Sequence, residues 1–201
     1  EGYGAVAMGT SAHTGANAHY ALALGMKSDS AGFANIAIGN EAKAQAAMYA
    51  TAIGQESVVT KDQGIAIGTN AQTEAENGIS FGTQAKSLAN RGIAVGTNST
   101  VDKTGGRGIA IGDGAYVGAK TQERPGTGMP NPGDAWNPSE PYLPVADDTV
   151  AGPKKLAREN SMAIGMKASA FGFQTTALGA AAEAHDTNTT AVGAAAVAKG
   201  N

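Results

Sequence analysis

Side chains able to do chemistry are few in this chain, and they are scattered. His13 and His19 stand six residues apart and His185 lies far downstream. With no cysteine present, a metal centre would have to be built from these histidines and carboxylates, and their spacing matches no paired-ligand pattern; they read as exposed histidines. A Ser, His, Asp set can be assembled from almost any list of residues, and no elbow presenting a nucleophilic serine is read here. Gly105-Gly106-Arg107-Gly108 resembles a phosphate-binding loop only superficially, because no helix start follows it. Neither a catalytic residue nor a cofactor is assigned, and the chain is not read as an enzyme.

The residues best suited to contact a partner lie in one segment, roughly 121–157. It holds all seven prolines, from Pro125 to Pro153, and the only tryptophan, Trp136, with Tyr142 and Leu143 nearby. Proline at this density nearly excludes regular strand, while the aromatic and aliphatic residues argue against full disorder. Trp136 and Tyr142 are candidate anchors for a protein ligand, with Lys154 and Lys155 as candidate charged contacts. Alternatively, Trp136, Tyr142, Leu143 and Val145 pack the loop onto its own or a neighbouring subunit, and the two lysines form solvated or intersubunit charge contacts.

What must position that loop is a repeat. Gly64-Ile65-Ala66-Ile67-Gly68-Thr69-Asn70-Ala71 has close copies whose closing glycines are Gly9, Gly25, Gly39, Gly54, Gly68, Gly82, Gly96, Gly112, Gly165, Gly179 and Gly193, mostly fourteen residues apart. The residue before each glycine is large and apolar, as in Ile38, Ile53, Ile67, Val95, Ile111 and Ile164. Two before it stands Ala, as in Ala66 and Ala110, with Ser80 the exception; three after it stands Ala or Ser. The step from Gly112 to Gly165 is fifty-three residues, one copy plus the proline-rich segment, so that segment is an insertion in a single domain spanning 1–201. The smaller irregularities, steps of fifteen or sixteen, fall at the same turn.

Bulky residues two apart have strand spacing rather than helical spacing. Fourteen residues allow two short strands and two turns but no crossover helix, so successive copies must stack as rungs, each pairing with the ones before and after it. The expected fold is all-β, a parallel β-roll solenoid with a long proline-rich loop; at ~4.8 Å per rung it makes a rod on the order of 50 Å long. The glycine closing the first strand implies positive φ or a close backbone approach. The Ala and Ser columns imply walls closer than the usual ~10 Å sheet separation. If Ala fills the interior, the Ile, Val and Leu columns face outward as a stripe larger than a soluble monomer tolerates, and a symmetric homo-oligomer would cover it. The inverse arrangement, with Ile inside, remains open at this point.

A net charge of −3, with Lys and Arg scattered singly, gives no basic stripe for nucleic acid. No apolar run is long enough to cross a bilayer, so no direct membrane insertion is expected. The chain enters a repeat at Glu1-Gly2-Tyr3 and ends within one at Lys199-Gly200-Asn201, which reads as a piece of a longer protein.

The pattern Asn160-Ser161-Met162-Ala163-Ile164-Gly165 followed by Ala168, with its relatives around Gly39, Gly68 and Gly112, resembles the head repeat of trimeric autotransporter adhesins of the YadA-like kind. The resemblance implies a left-handed parallel β-roll that assembles as a homotrimer on the bacterial cell surface, anchored in the outer membrane through a region not present here. It also implies non-catalytic binding of host extracellular matrix proteins and cells. The insertion resembles that of the ubiquitous surface protein A type, whose relatives attach to fibronectin and laminin. Other solenoids fit less well: fourteen is not a multiple of the hexapeptide period, and no calcium-binding nonapeptide series is present. Thr69, Thr83 and Thr97 are too short a ladder for ice binding, since Asp113 ends it. A trimeric spacer or phage-type fibre is the competing reading.

Overall fold

The computed structural model describes residues 2–46, 48–118 and 160–199. Within them the chain winds through eleven rungs of a parallel β-solenoid, with no helix among the described residues. Each rung contributes a three-residue strand, such as Ile65–Ile67, to one eleven-stranded sheet and a two-residue strand, such as Gln72–Thr73, to a second. Strand order in each sheet follows chain order, and every pairing is parallel. Ala66 thus lies between Ala52 and Ser80 in the first sheet, and Thr73 between Val59 and Ser87 in the second.

The register passes the fifty-three-residue step without a break. Ile109, Ala110 and Ile111 pair directly with Met162, Ala163 and Ile164, and Tyr116 and Val117 with Ser169 and Ala170. The intervening 121–157 segment lies outside the described residues.

The interior is lined by small groups from both sheets. Ala23, Ala37, Ala52, Ala66, Ala94, Ala110, Ala163 and Ala177 are fully buried, and so are Ala44, Val59, Thr73, Ser87, Val101, Val117, Ala170 and Ala184 across from them. The arrangement left open by the sequence is thereby decided: alanine fills the roll and the large aliphatic residues face outward. Ser80, the exception in the alanine column, donates to the Gln72 carbonyl at 2.7 Å and lies 2.9 Å from the Thr73 hydroxyl. It is tolerated because both hydroxyls find partners inside.

Two turns close each rung, and each places a residue in the left-handed region. One turn uses Lys27, Glu41, Glu56, Asn70, Gln84 and Asn98, the other Tyr20, Ala34, Tyr49, Gln63, Asn77 and Arg91, all at φ between 51° and 58°. Such a φ costs a non-glycine residue roughly 1–2 kcal/mol. Here the same amide that pays this cost bonds the neighbouring rung, as in Asn70 N–H to the Gln55 carbonyl and Asn77 N–H to the Asp62 carbonyl. The turn therefore supplies a ladder bond in exchange.

Glycine at the end of the first strand meets a stricter demand. Gly68 has φ +134°, and a Cβ built there would fall 2.4 Å from the carbonyl oxygen of Gly82 on the next rung. Positive φ and close approach, alternatives on sequence grounds, act together.

The fifteen-residue rung is accommodated by Asn35. Its fully buried side chain donates to the Ala44 and Ala46 carbonyls at 3.1 and 2.8 Å and accepts from the Ala50 amide at 2.8 Å. In the sixteen-residue step from Gly96 to Gly112, Asp102 plays the local role by accepting from the Thr104 amide at 2.9 Å.

Candidate functional site

Because the small residue at the centre of the first-sheet strands, alanine or Ser80, faces inward and is buried in all but the terminal Val6–Met8 strand, the residues on either side of it point out. Ile38, Ile53, Ile67, Val95 and Ile164 are half-buried, sheltered by the rungs above and below, while Ile111 is 37% and Phe81 54% exposed. Together with Leu24, Leu178 and the half-buried Ile36, Ile65, Ile93 and Ile109, they give this face of the roll an apolar surface running its whole length. Gly68 and Gly112, at φ +134° and +130°, close the strands beneath it.

The edges and the second sheet carry ladders of other kinds. Lys27 Nζ bonds Glu41 Oε1 at 3.0 Å from one rung to the next. The Lys27 ammonium, by this bond and its charge, holds the Glu41 carboxyl below its ordinary value, with Lys43 adding a smaller effect in the same direction. His13 Nδ1 lies 2.9 Å from Asp29 Oδ1, and Lys103 Nζ is 3.8 Å from Glu74 Oε2.

The candidate chemical groups are placed apart. His13 is in that exposed pair, and His19 Nδ1 accepts from the Tyr3 amide at 3.0 Å. His185 is fully buried, with Nε2 3.0 Å from Glu183 and its ring stacked on Phe171 at 5.1 Å. It is thus a packed core residue and not the exposed histidine expected. No three of His, Asp and Glu converge on a metal position among the described residues. In Gly105-Gly106-Arg107-Gly108, the amides of Gly105, Arg107 and Gly108 are donated to Asp102, Asn90 and Gly105 carbonyls, as befits a turn between rungs. Next to it is a shallow depression of about 280 Å³ lined by Glu76, Asn77, Asn90, Arg91, Gly106 and Arg107.

The Gly-x-Ser-x-Gly spacing does occur, at Gly78-Ile79-Ser80-Phe81-Gly82, contrary to the sequence reading. It carries no nucleophile, since Ser80 is fully buried within a strand and its hydroxyl is hydrogen-bonded inside the roll. Trp136, Tyr142, Lys154 and Lys155 lie outside the described residues.

A set of residues that the sequence reading missed lines one edge: Tyr3, Tyr20, Phe33 and Tyr49 form a ladder of edge-on rings. The signal was in the repeat register, because Tyr20 and Tyr49 stand five residues before Gly25 and Gly54, and Tyr3 and Phe33 stand six before Gly9 and Gly39.

The repeat itself decides the kinship. The YadA head domain repeat (2 copies) family model matches residues 36–57, 47–71, 74–99, 159–182 and 172–196. The chain is a YadA-like head. Its matched segments lie on both sides of the long step, in agreement with the unbroken pairing of Ile109–Ile111 with Met162–Ile164. Heads of this family belong to trimeric autotransporter adhesins; they are of an adhesive or structural type rather than a typically enzymatic one, are displayed at the surface, and are typically trimeric. No curated protein sequence gives a significant match to the chain.

Proposed function

We propose that this YadA-like head assembles as a homotrimer and acts as a bacterial surface adhesin, binding host extracellular matrix proteins or cell-surface receptors by multivalent, non-catalytic contact. The observation that carries this reading is the outward apolar face of the first sheet on a YadA-type roll. An unbroken apolar strip of this length calls for a cover. At about 1.5–3 kcal/mol per fully buried aliphatic side chain, Ile38, Ile53, Ile67, Val95, Ile111 and Ile164 supply ample driving force for three copies to pack around a common axis. Anchorage in the outer membrane belongs to parts of the protein beyond residues 1–201.

Contact with the host falls on the lateral surfaces and on the 121–157 insertion. Trp136 and Tyr142 serve as apolar anchors there and Lys154 and Lys155 as charged contacts, with fibronectin and laminin as the first ligands to try. Three copies per head and many heads per cell turn weak single contacts into firm attachment through effective concentration.

The test is binding of residues 1–201, and of a version with 121–157 replaced by a short Gly-Ser turn, to immobilised fibronectin, laminin and collagen, after sedimentation has established each as trimeric. Binding lost with the insertion locates the site on it, and equal binding moves the site to the rungs. No binding by either version would replace the adhesive reading with a trimeric spacer or fibre segment.

A further inference from the structure

Tyr3, Tyr20, Phe33 and Tyr49 come from four consecutive rungs and meet at one edge of the roll, in the turn that precedes each three-residue strand. Each ring centroid lies 5.7–5.8 Å from the next, with planes at 84°. All four are exposed, at 74, 58, 36 and 53% respectively.

Folding does not require aromatic residues here. The next rungs make the same turn with Asp62-Gln63, Glu76-Asn77 and Asn90-Arg91, at the same positive φ and with the same inter-rung amide bonds. Large apolar rings held at the surface, where polar residues suffice, point to a ligand.

The geometry restricts its chemistry. The amides of Tyr20, Ala34 and Tyr49 are already donated to the carbonyls of Tyr3, His19 and Phe33, so a ligand cannot add as another strand; it must lie across rings and use the tyrosine hydroxyls. Between the rings the same two turn positions hold Gly4, His19, Ala34 and Met48, and the first carboxylate is Asp62, which caps the far end of the ribbon by accepting from the Met48 amide at 3.1 Å. From Tyr3 to Tyr49 the site is therefore an aromatic ribbon without a carboxylate, lysine or arginine at these positions, and with three tyrosine hydroxyls.

Its period is set by the rungs. Tyr20 and Tyr49 occupy the same turn position two rungs apart, which at ~4.8 Å per rung is about 9.6 Å. A polyproline II helix repeats every three residues, about 9.3 Å. It has no internal hydrogen bonds, so its carbonyls are free to accept from tyrosine hydroxyls, and its proline rings pack on aromatic faces. We propose that the ladder binds a single proline-rich segment in the polyproline II conformation, lying along the rod across Tyr3, Tyr20, Phe33 and Tyr49. The proposal rests on the ladder alone and stands or falls separately from the adhesive reading.

The experiment is a calorimetric or NMR titration of residues 1–201 with a nine-residue oligoproline, run beside a neutral glucose oligosaccharide and a Gly-Ser peptide of equal length. Tyr20→Gln and Tyr49→Gln are suitable variants, since Gln63 fills the same turn position in the following rung. The expected result is saturable binding of oligoproline only, weakened at least about fivefold by each substitution and more by both, as for buried aromatic anchors. Met166→Ala, at an exposed turn residue on another rung, leaves it unchanged. Failure of oligoproline to saturate, preference for the oligosaccharide, or full binding by the double variant overturns the proposal. So does a fall in sedimentation mass of the double variant, which would assign the ladder to subunit packing.

Discussion

Replacing Gly68 and Gly193 by alanine separates two costs that coincide at every other closing glycine. Both positions have strongly positive φ, +134° and +125°, so both variants incur backbone strain of about 1–3 kcal/mol. They differ in what lies beyond. A Cβ on Gly68 would be 2.4 Å from the Gly82 carbonyl oxygen, whereas a Cβ on Gly193 would meet nothing closer than the Ala196 Cβ at 3.8 Å. Relieving the first contact means prising two rungs apart, an overpacking defect of about 1–3 kcal/mol that also stretches the flanking bond from Gly82 N–H to the Ile67 carbonyl. Gly68→Ala is thus expected to cost about 2–6 kcal/mol and Gly193→Ala about 1–3. Thermal unfolding at matched concentration should show the larger Tm drop for Gly68→Ala, with amide exchange speeding up first around residues 65–84. Equal drops for the two variants would refute the claim that rung contact, beyond φ alone, selects glycine.

Three further outcomes follow from named contacts. Ala66→Phe or Ala110→Phe forces a ring into a fully closed interior and should destabilise by at least about 1–3 kcal/mol; an unchanged Tm for both would contradict the packing described. Ile67→Asp and Ile111→Asp alter residues that face outward, so circular dichroism should retain the β signal while sedimentation shows the assembly falling to single chains; loss of the β signal would put these residues in the core instead. Glu41, depressed by Lys27, stabilises the fold above the ordinary carboxylate pKa, and that contribution disappears as pH falls through the depressed value. In Lys27→Ala the Glu41 titration followed by NMR should move upward, and an unmoved midpoint would show that the 3.0 Å ion pair is not formed in solution.

Much of the roll was legible because its columns repeat. Once the period ruled out helices, the small column at Ala66 and the large column at Ile67 had to lie on opposite faces of the same strand. Direction was harder, since alternation alone fits Ile inside as well as Ala inside, and only burial of both facing walls decides it. Left-handed turns at Glu41, Gln63 or Arg91 gave no sign in residue type, because inter-rung hydrogen bonds override local preference there. Asn35 looked like any loop asparagine, yet its three buried bonds hold an enlarged turn. His185 was read as exposed because a lone histidine carries no mark of the stacking on Phe171 that buries it. The aromatic ladder was missed for another reason: its members alternate between two adjacent register positions, and no single column shows it.

All the hydrogen bonds that join rung to rung run along the axis of the rod. A pull along that axis loads the rungs in series, so the weakest yields alone while the others stay folded. Each fourteen-residue rung occupies about 4.8 Å of length when stacked but spans up to roughly 45–50 Å when drawn out. A head of this design therefore behaves as a coiled spring with a plateau force, lengthening about tenfold locally under load rather than snapping.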